Sequence, residues 1–134
     1  MSLTARLHIQ GHETEKKGIK VETCDYTFTQ EIDAKGRPKS RVRGGVFKLT
    51  IMLEDDAELL AWMFNVDSYK SGKIIYMAGE SKIQKTLEFQ QAALVSYREE
   101  FADKLAVRVT IEISAESMWI GGAHFSNYWV GNTS

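Results

Sequence analysis

The chain has 134 residues, with 17 Lys plus Arg, 18 Asp plus Glu and a formal net charge of -1. That length fits one domain, 1–134, able to bury a core without disulfide or metal staples. The charge balance excludes a protein built around general nucleic-acid binding, which calls for a basic excess, and the single cysteine, Cys24, excludes an internal disulfide and a cysteine-based zinc site.

The opening, MSLTARLHIQ, has no apolar run of signal-peptide length, and no segment approaches a membrane span. The expectation is a chain that folds in the cytoplasm, has no stable membrane insertion, and is exported, if at all, without a cleaved signal. Leu3, Ala5, Leu7 and Ile9 alternate with Thr4, Arg6 and His8, which predicts a first strand near 2–10 with one face in a core. A charged connection, GHETEKKGIK (11–20), follows. A second strand is predicted near 19–31, where Cys24, Tyr26 and Phe28 share a side; Cys24 reads as a small buried hydrophobe and not as a nucleophile. A third is predicted near 40–53, on the alternation of Phe47, Leu49, Ile51 and Leu53.

EDDAELLAWMFN changes to helical spacing, with Leu59 and Met63, and Leu60 and Phe64, each four apart. A helix is predicted over about 55–65, with Asp55 and Asp56 as acidic cap residues and Trp62 in the core. Four more strands are predicted near 73–78, 82–91, 92–101 and 105–120, with turn chemistry at KSGK (70–73) and AGES (78–81). Many strands and one helix suggest a small β-barrel or sandwich with an appended helix.

The search for catalytic chemistry is negative. His8, His12 and His124 lack metal-ligand spacing and read as exposed or partly packed; no catalytic residue, cofactor site or metal site is assigned, and an enzyme has no motif in its favour. GRPKSRVRGG (36–45) holds four basic side chains, Arg37, Lys39, Arg41 and Arg43, with Pro38, the only proline. It lacks the Walker A spacing. A small barrel binding a ligand or nucleic acid remains an alternative on this stretch alone, while basic charge on a strand also blocks unwanted edge pairing. The aromatic end, SMWIGGAHFSNYWVGN, must be covered by its own domain or a neighbouring subunit, with Trp129 central to it.

Taken in order, CDYTFTQEIDAKGRPKSRVRGGVFKLTI, LLAWMFNVDSYKSGKIIY, TLEFQQAALVSYREEF and ISAESMWIGGAHFSNYW resemble the haemolysin-coregulated protein family (Hcp, or TssD), the tube proteins of type VI secretion, in the form associated with Bacteroidota-type systems. The resemblance runs from about Leu3 to Trp129. It implies a mainly β fold, a compact β-barrel of two antiparallel sheets with one short α-helix, kin to phage tail-tube proteins. It implies no enzyme. It implies hexameric rings that stack into a hollow tube, a surrounding contractile sheath, spike and baseplate partners, expulsion from the cell, and effector proteins held in the lumen. A tail-tube subunit of another contractile particle is the near alternative.

The family's long loop between its second and third strands matches Glu31 to Ser40 (about 31–40). On that match Arg37, Pro38, Lys39, Arg41 and Arg43 are expected at subunit contacts, with Glu31, Asp33, Glu99, Glu100 and Asp103 as acidic partners, and Trp129 of the aromatic end is expected at a subunit contact as well. Arg108, Thr110, Glu112 and Ser114, the polar side of the last long strand, are expected to line the lumen. The 11–20 connection is longer and more charged than the family pattern.

Overall fold

The structure is a computed structural model that describes residues 3–12, 15–52, 57–65, 67–79, 82–103 and 106–127. Seven strands and one helix run in the order β1 (Leu3–Ile9), β2 (Ile19–Tyr26), β3 (Val46–Met52), α1 (Ala57–Phe64), β4 (Lys70–Ala78), β5 (Lys82–Asp103), β6 (Ala106–Ile120) and β7 (Ala123–Ser126). Every pairing is antiparallel, in the order β3-β2-β1-β4-β5-β6-β7, and β3 also pairs β6. That last pairing closes β1 to β6 into a six-stranded barrel with one helix, the mainly β architecture expected.

Closure leaves an inward face that the alternating residues fill. Leu7, Ile19, Val21, Phe47, Leu49, Ile51, Ile74, Leu87, Phe89, Val109, Ile111 and Ile113 are all buried. Phe47 and Phe89 meet across the core with ring centroids 5.2 Å apart. α1 packs against β5. Its buried residues are Leu59 and Trp62, three apart, and the Trp62 Nε1–H donates to the Ser68 carbonyl at 2.9 Å. The expected apolar stripe of Leu59, Leu60, Met63 and Phe64 is corrected here: Phe64 is 76% exposed, because the short helix turns Leu59, Trp62 and half-buried Met63 to the core. Asp55 and Asp56 lie outside the described residues.

Several expected boundaries move for a physical reason. The strands expected at 82–91 and 92–101 are one strand. The alternation slips at Gln91, which has φ 52, so that Phe89 and Ala92 both point inward. β6 slips opposite it, with Ala115 and Met118 both buried. The period-two signal breaks there, but the backbone runs on through a bulge. Lys70 to Lys73 begin β4 and do not form a turn. A short strand, β7, was not expected; Gly121 and Gly122 both take positive φ (57 and 92) in the two-residue turn that pairs Ile120 with Ala123.

Candidate functional site

The strand expected at 19–31 ends at Tyr26, and the one expected at 40–53 begins at Val46. Between them residues 27–45 form an arm. Thr29 and Arg43 exchange backbone hydrogen bonds of 2.9 and 2.6 Å. Ile32 bridges Pro38, and Lys39 N–H donates to the Glu31 carbonyl at 2.9 Å. Side chains along 30–43 are exposed, apart from half-buried Asp33 and Ser40. Ile32, at 60% exposed, has no core beneath it.

The tip is built by Asp33. Its carbonyl accepts from Gly36 N–H at 2.9 Å, and Gly36 takes φ 84, the left-handed position that a three-residue hairpin loop requires. The Asp33 carboxylate accepts from the backbone N–H groups of Lys35 (2.9 Å) and Arg37 (3.0 Å) and from Arg37 Nε (3.0 Å). The Arg37 backbone N–H foremost, with the Lys35 N–H and the Arg37 side chain, holds the Asp33 carboxyl below the ordinary carboxylate range, outweighing desolvation.

The base of the arm is built by residues whose role the sequence reading missed. Asn127 Nδ2 donates to the carbonyls of Gly44 (3.1 Å) and Ala115 (3.2 Å), joining the arm to β6 just beyond β7. Ala115 N–H donates to the Gly45 carbonyl at 2.7 Å, and Gly45 takes φ 91. A Cβ on Gly44 would overlap the Phe28 ring, and one on Gly45 would meet Asn127 and the Ala115 carbonyl. The pair Gly44-Gly45 is therefore a tight junction that precedes β3, not part of it. Phe28 packs edge-on to Phe125, centroids 4.9 Å apart, and to Tyr26 at 6.0 Å.

Of the expected contact residues, Arg37, Pro38, Lys39, Arg41 and Arg43 sit together on this arm. Arg41 and Arg43 were expected to lie within a strand; they lie in the arm, where the Arg43 backbone bridges that of Thr29. Two of the acidic candidates are paired within the arm: Arg37 with Asp33 at 3.0 Å and Arg43 with Glu31 at 3.5 Å. Glu100 pairs with Arg98 at 3.7 Å, and Glu99 accepts from the Tyr97 hydroxyl at 3.3 Å. Trp129 lies outside the described residues.

Arg108, Thr110, Glu112 and Ser114 occupy the face of β6 turned from the core. Across neighbouring strands, Asp25, Lys48, Glu112 and Ser96 form one row, and Thr23, Thr50, Thr110 and Arg98 the next. Arg108 pairs with Glu22 at 3.4 Å and lies opposite Glu100. Opposite charges thus alternate across this face.

One edge is open. β4 leaves β5 at Ala92, and among the described residues no strand takes that edge of 93–103. Phe101 there is 75% exposed.

The remaining candidates are Cys24 and the three histidines. Cys24 is half-buried; burial above all pushes its thiol up, and the Tyr76 hydroxyl hydrogen-bonds to it. His8 donates from Nδ1 to the Glu15 carbonyl at 2.6 Å, and His124 stacks on Trp119 at 4.4 Å. His12, expected in a hydrophilic loop, is buried. Among the described residues, no three His, Cys, Asp or Glu side chains are grouped to hold a metal, and no helix is long and apolar enough to cross a membrane.

The family model for hemolysin coregulated protein Hcp (TssD) matches residues 1–130. The chain belongs to the Hcp (TssD) family. It is a tube protein of type VI secretion, from a secreted, structural family and not an enzyme family. Hcp1 from Flavobacterium johnsoniae is 31% identical, covers 92% of this Hcp chain and 99% of its own, and superposes with a TM-score of 0.81. Hcp1 from Salmonella typhimurium, at 14% identity, shares the fold over 94% of this chain and 93% of its own, TM-score 0.71. The secreted protein Hcp3 from Pseudomonas aeruginosa, at 11% identity, covers 96% and 99%, TM-score 0.63. No curated protein sequence matches this Hcp chain.

Proposed function

We propose that this chain is the structural subunit of a type VI inner tube, a single domain over 1–134 that closes into hexameric rings. The observation that carries this reading is the arm. All its side chains along 30–43 but Asp33 and Ser40 are exposed, yet its own hydrogen bonds hold it in one shape, so little conformational entropy is lost when a partner covers it. Head-to-tail contacts of this kind are heterologous and make a ring when the rotation closes. The open edge of β5 supplies a second surface, because an unpaired strand edge is satisfied by a strand of the next protomer.

In this reading Arg37, Pro38, Lys39, Arg41 and Arg43 touch a neighbouring protomer or ring. The alternating charges around Arg108, Thr110, Glu112 and Ser114 line a wet lumen, where both signs of charge on an effector find a partner. Rings stack into a tube inside a contractile sheath, on a baseplate and under a spike. The chain assembles in the cytoplasm, is expelled with the tube, and catalyses nothing.

Negative-stain microscopy and native mass spectrometry test this. Wild type is expected as rings of six. Arg41→Glu with Arg43→Glu is expected to abolish them while moving the melting temperature by no more than about 3 °C, as for exposed substitutions. A strictly monomeric wild type at high concentration, or intact rings in the double variant, would overturn the respective claim.

A further inference from the structure

Two exposed apolar side chains of this protein stand in charged surroundings of opposite sign. The first is Ile32, 60% exposed, near the tip of the arm. It bridges Pro38, which lies between Arg37 and Lys39 in sequence. Residues 30–43 carry Lys35, Arg37, Lys39, Arg41 and Arg43 against Glu31 and Asp33, five cations to two carboxylates, a net of +3. The two ion pairs inside the arm use one cation for each carboxylate, so the excess survives them.

The second is Phe101, 75% exposed, on the stretch of β5 whose edge β4 leaves open. Glu99 and Phe101 point to one side, since they lie opposite Val109 and Val107 of β6. Residues 93–103 carry Glu99, Glu100 and Asp103 against Arg98, three carboxylates to one cation, a net of -2. Glu100 is the carboxylate that pairs with Arg98, and Glu99 is exposed.

Within one chain Ile32 and Phe101 do not cover each other, because both are exposed. The arm is fastened at Ala115 of β6, and Phe101 lies opposite Val107. Those two points of an extended strand are about 26 Å apart. The two surfaces are thus well separated on one chain, and a second copy placed head to tail brings one of each together. A contact between two different patches is heterologous, so it propagates from copy to copy and does not end at a pair.

We propose that the arm of one copy docks on the open β5 edge of the next, with Ile32 and Pro38 against Phe101 and the excess cations of the arm against Glu99 and Glu100. This rests on the self-assembling reading above and names the surface that receives the arm. Docking takes two exposed apolar side chains out of water and brings opposite net charges together.

Disulfide trapping in a Cys24→Ser background tests this, with rings scored separately by negative-stain microscopy. Chains carrying Ile32→Cys and chains carrying Phe101→Cys are co-expressed, purified reduced, and oxidised. The mixed disulfide is expected to form at least about 10-fold faster than the like-with-like disulfide of either chain expressed alone, because docking raises the local concentration of the two thiols. Rings without that excess would overturn the docking and leave the tube reading standing; neither rings nor excess would overturn both. A second measurement reverses the charges. Lys39→Glu alone and Glu99→Lys alone are each expected to lower the assembled fraction about 10-fold, as like charges then meet, and the two in one chain to restore it. A combined variant no better than the single ones would overturn the docking.

Discussion

Asp33 sets the tip of the arm with a single carboxylate that accepts from two backbone N–H groups and one guanidinium. Its carboxyl is held below the ordinary value of 3.8, so the sign is fixed. The contribution is complete above that ordinary value and is lost as pH falls through the lower, folded value. The tip is therefore expected to loosen only in acid below about pH 3.8, and Asp33→Asn to loosen it at neutral pH. The amide shifts of Lys35 and Arg37, followed by NMR through a pH titration, check this. A carboxyl of Asp33 that titrates at or above its ordinary value would contradict it. The Arg37 side chain is 68% exposed, so the ion pair adds little beyond positioning.

β5 shows how an element can be continuous while its sequence pattern is not. Gln91 holds φ 52, a conformation that costs an unbranched polar residue less than a β-branched one. Gln91→Val is expected to destabilise the barrel by about 1–2 kcal/mol, visible as a lower urea midpoint with an unchanged slope; an unaltered midpoint would show that the slip bears no strain. The same position explains what the sequence could and could not tell. Period two is a strong signal wherever one face is buried, as along Val107, Val109, Ile111 and Ile113, and β1, β3 and most of β6 were legible on that ground. A phase slip reads as an end, so β5 was split in two. The alternation of Thr27 to Thr29 and of Arg41 to Arg43 is real, but beyond half-buried Phe28 it has no core beneath it, and it builds an arm and not a barrel strand. The Gly121-Gly122 pair marks the turn into β7, since both take positive φ. The basic residues of the arm were recognisable in sequence; its fastening was not, because Asn127 meets Gly44 only after the barrel has brought them together.

At the scale of the molecule, a closed barrel bears on its outside the three features the proposed tube would use: an arm held by its own hydrogen bonds, an open edge on β5 and a face of alternating charge. With a net charge of -1, long-range repulsion between identical protomers is weak, so the proposed association would rest on these local surfaces. The Asn127–Gly44 hydrogen bond spans 83 residues of chain. A loop of that length closes late, since its entropy cost is met only when the sheets it joins already exist. The arm's junction is thus expected to form last during folding. In pulsed hydrogen exchange the amides of Thr29 and Arg43 should gain protection after those of β5 and β6, and the reverse order would refute this. For the proposed ring the consequence is a form of quality control without a chaperone: a protomer whose barrel has not closed has no fixed arm to offer, so in that reading unfinished chains are kept out of the growing assembly by their own geometry.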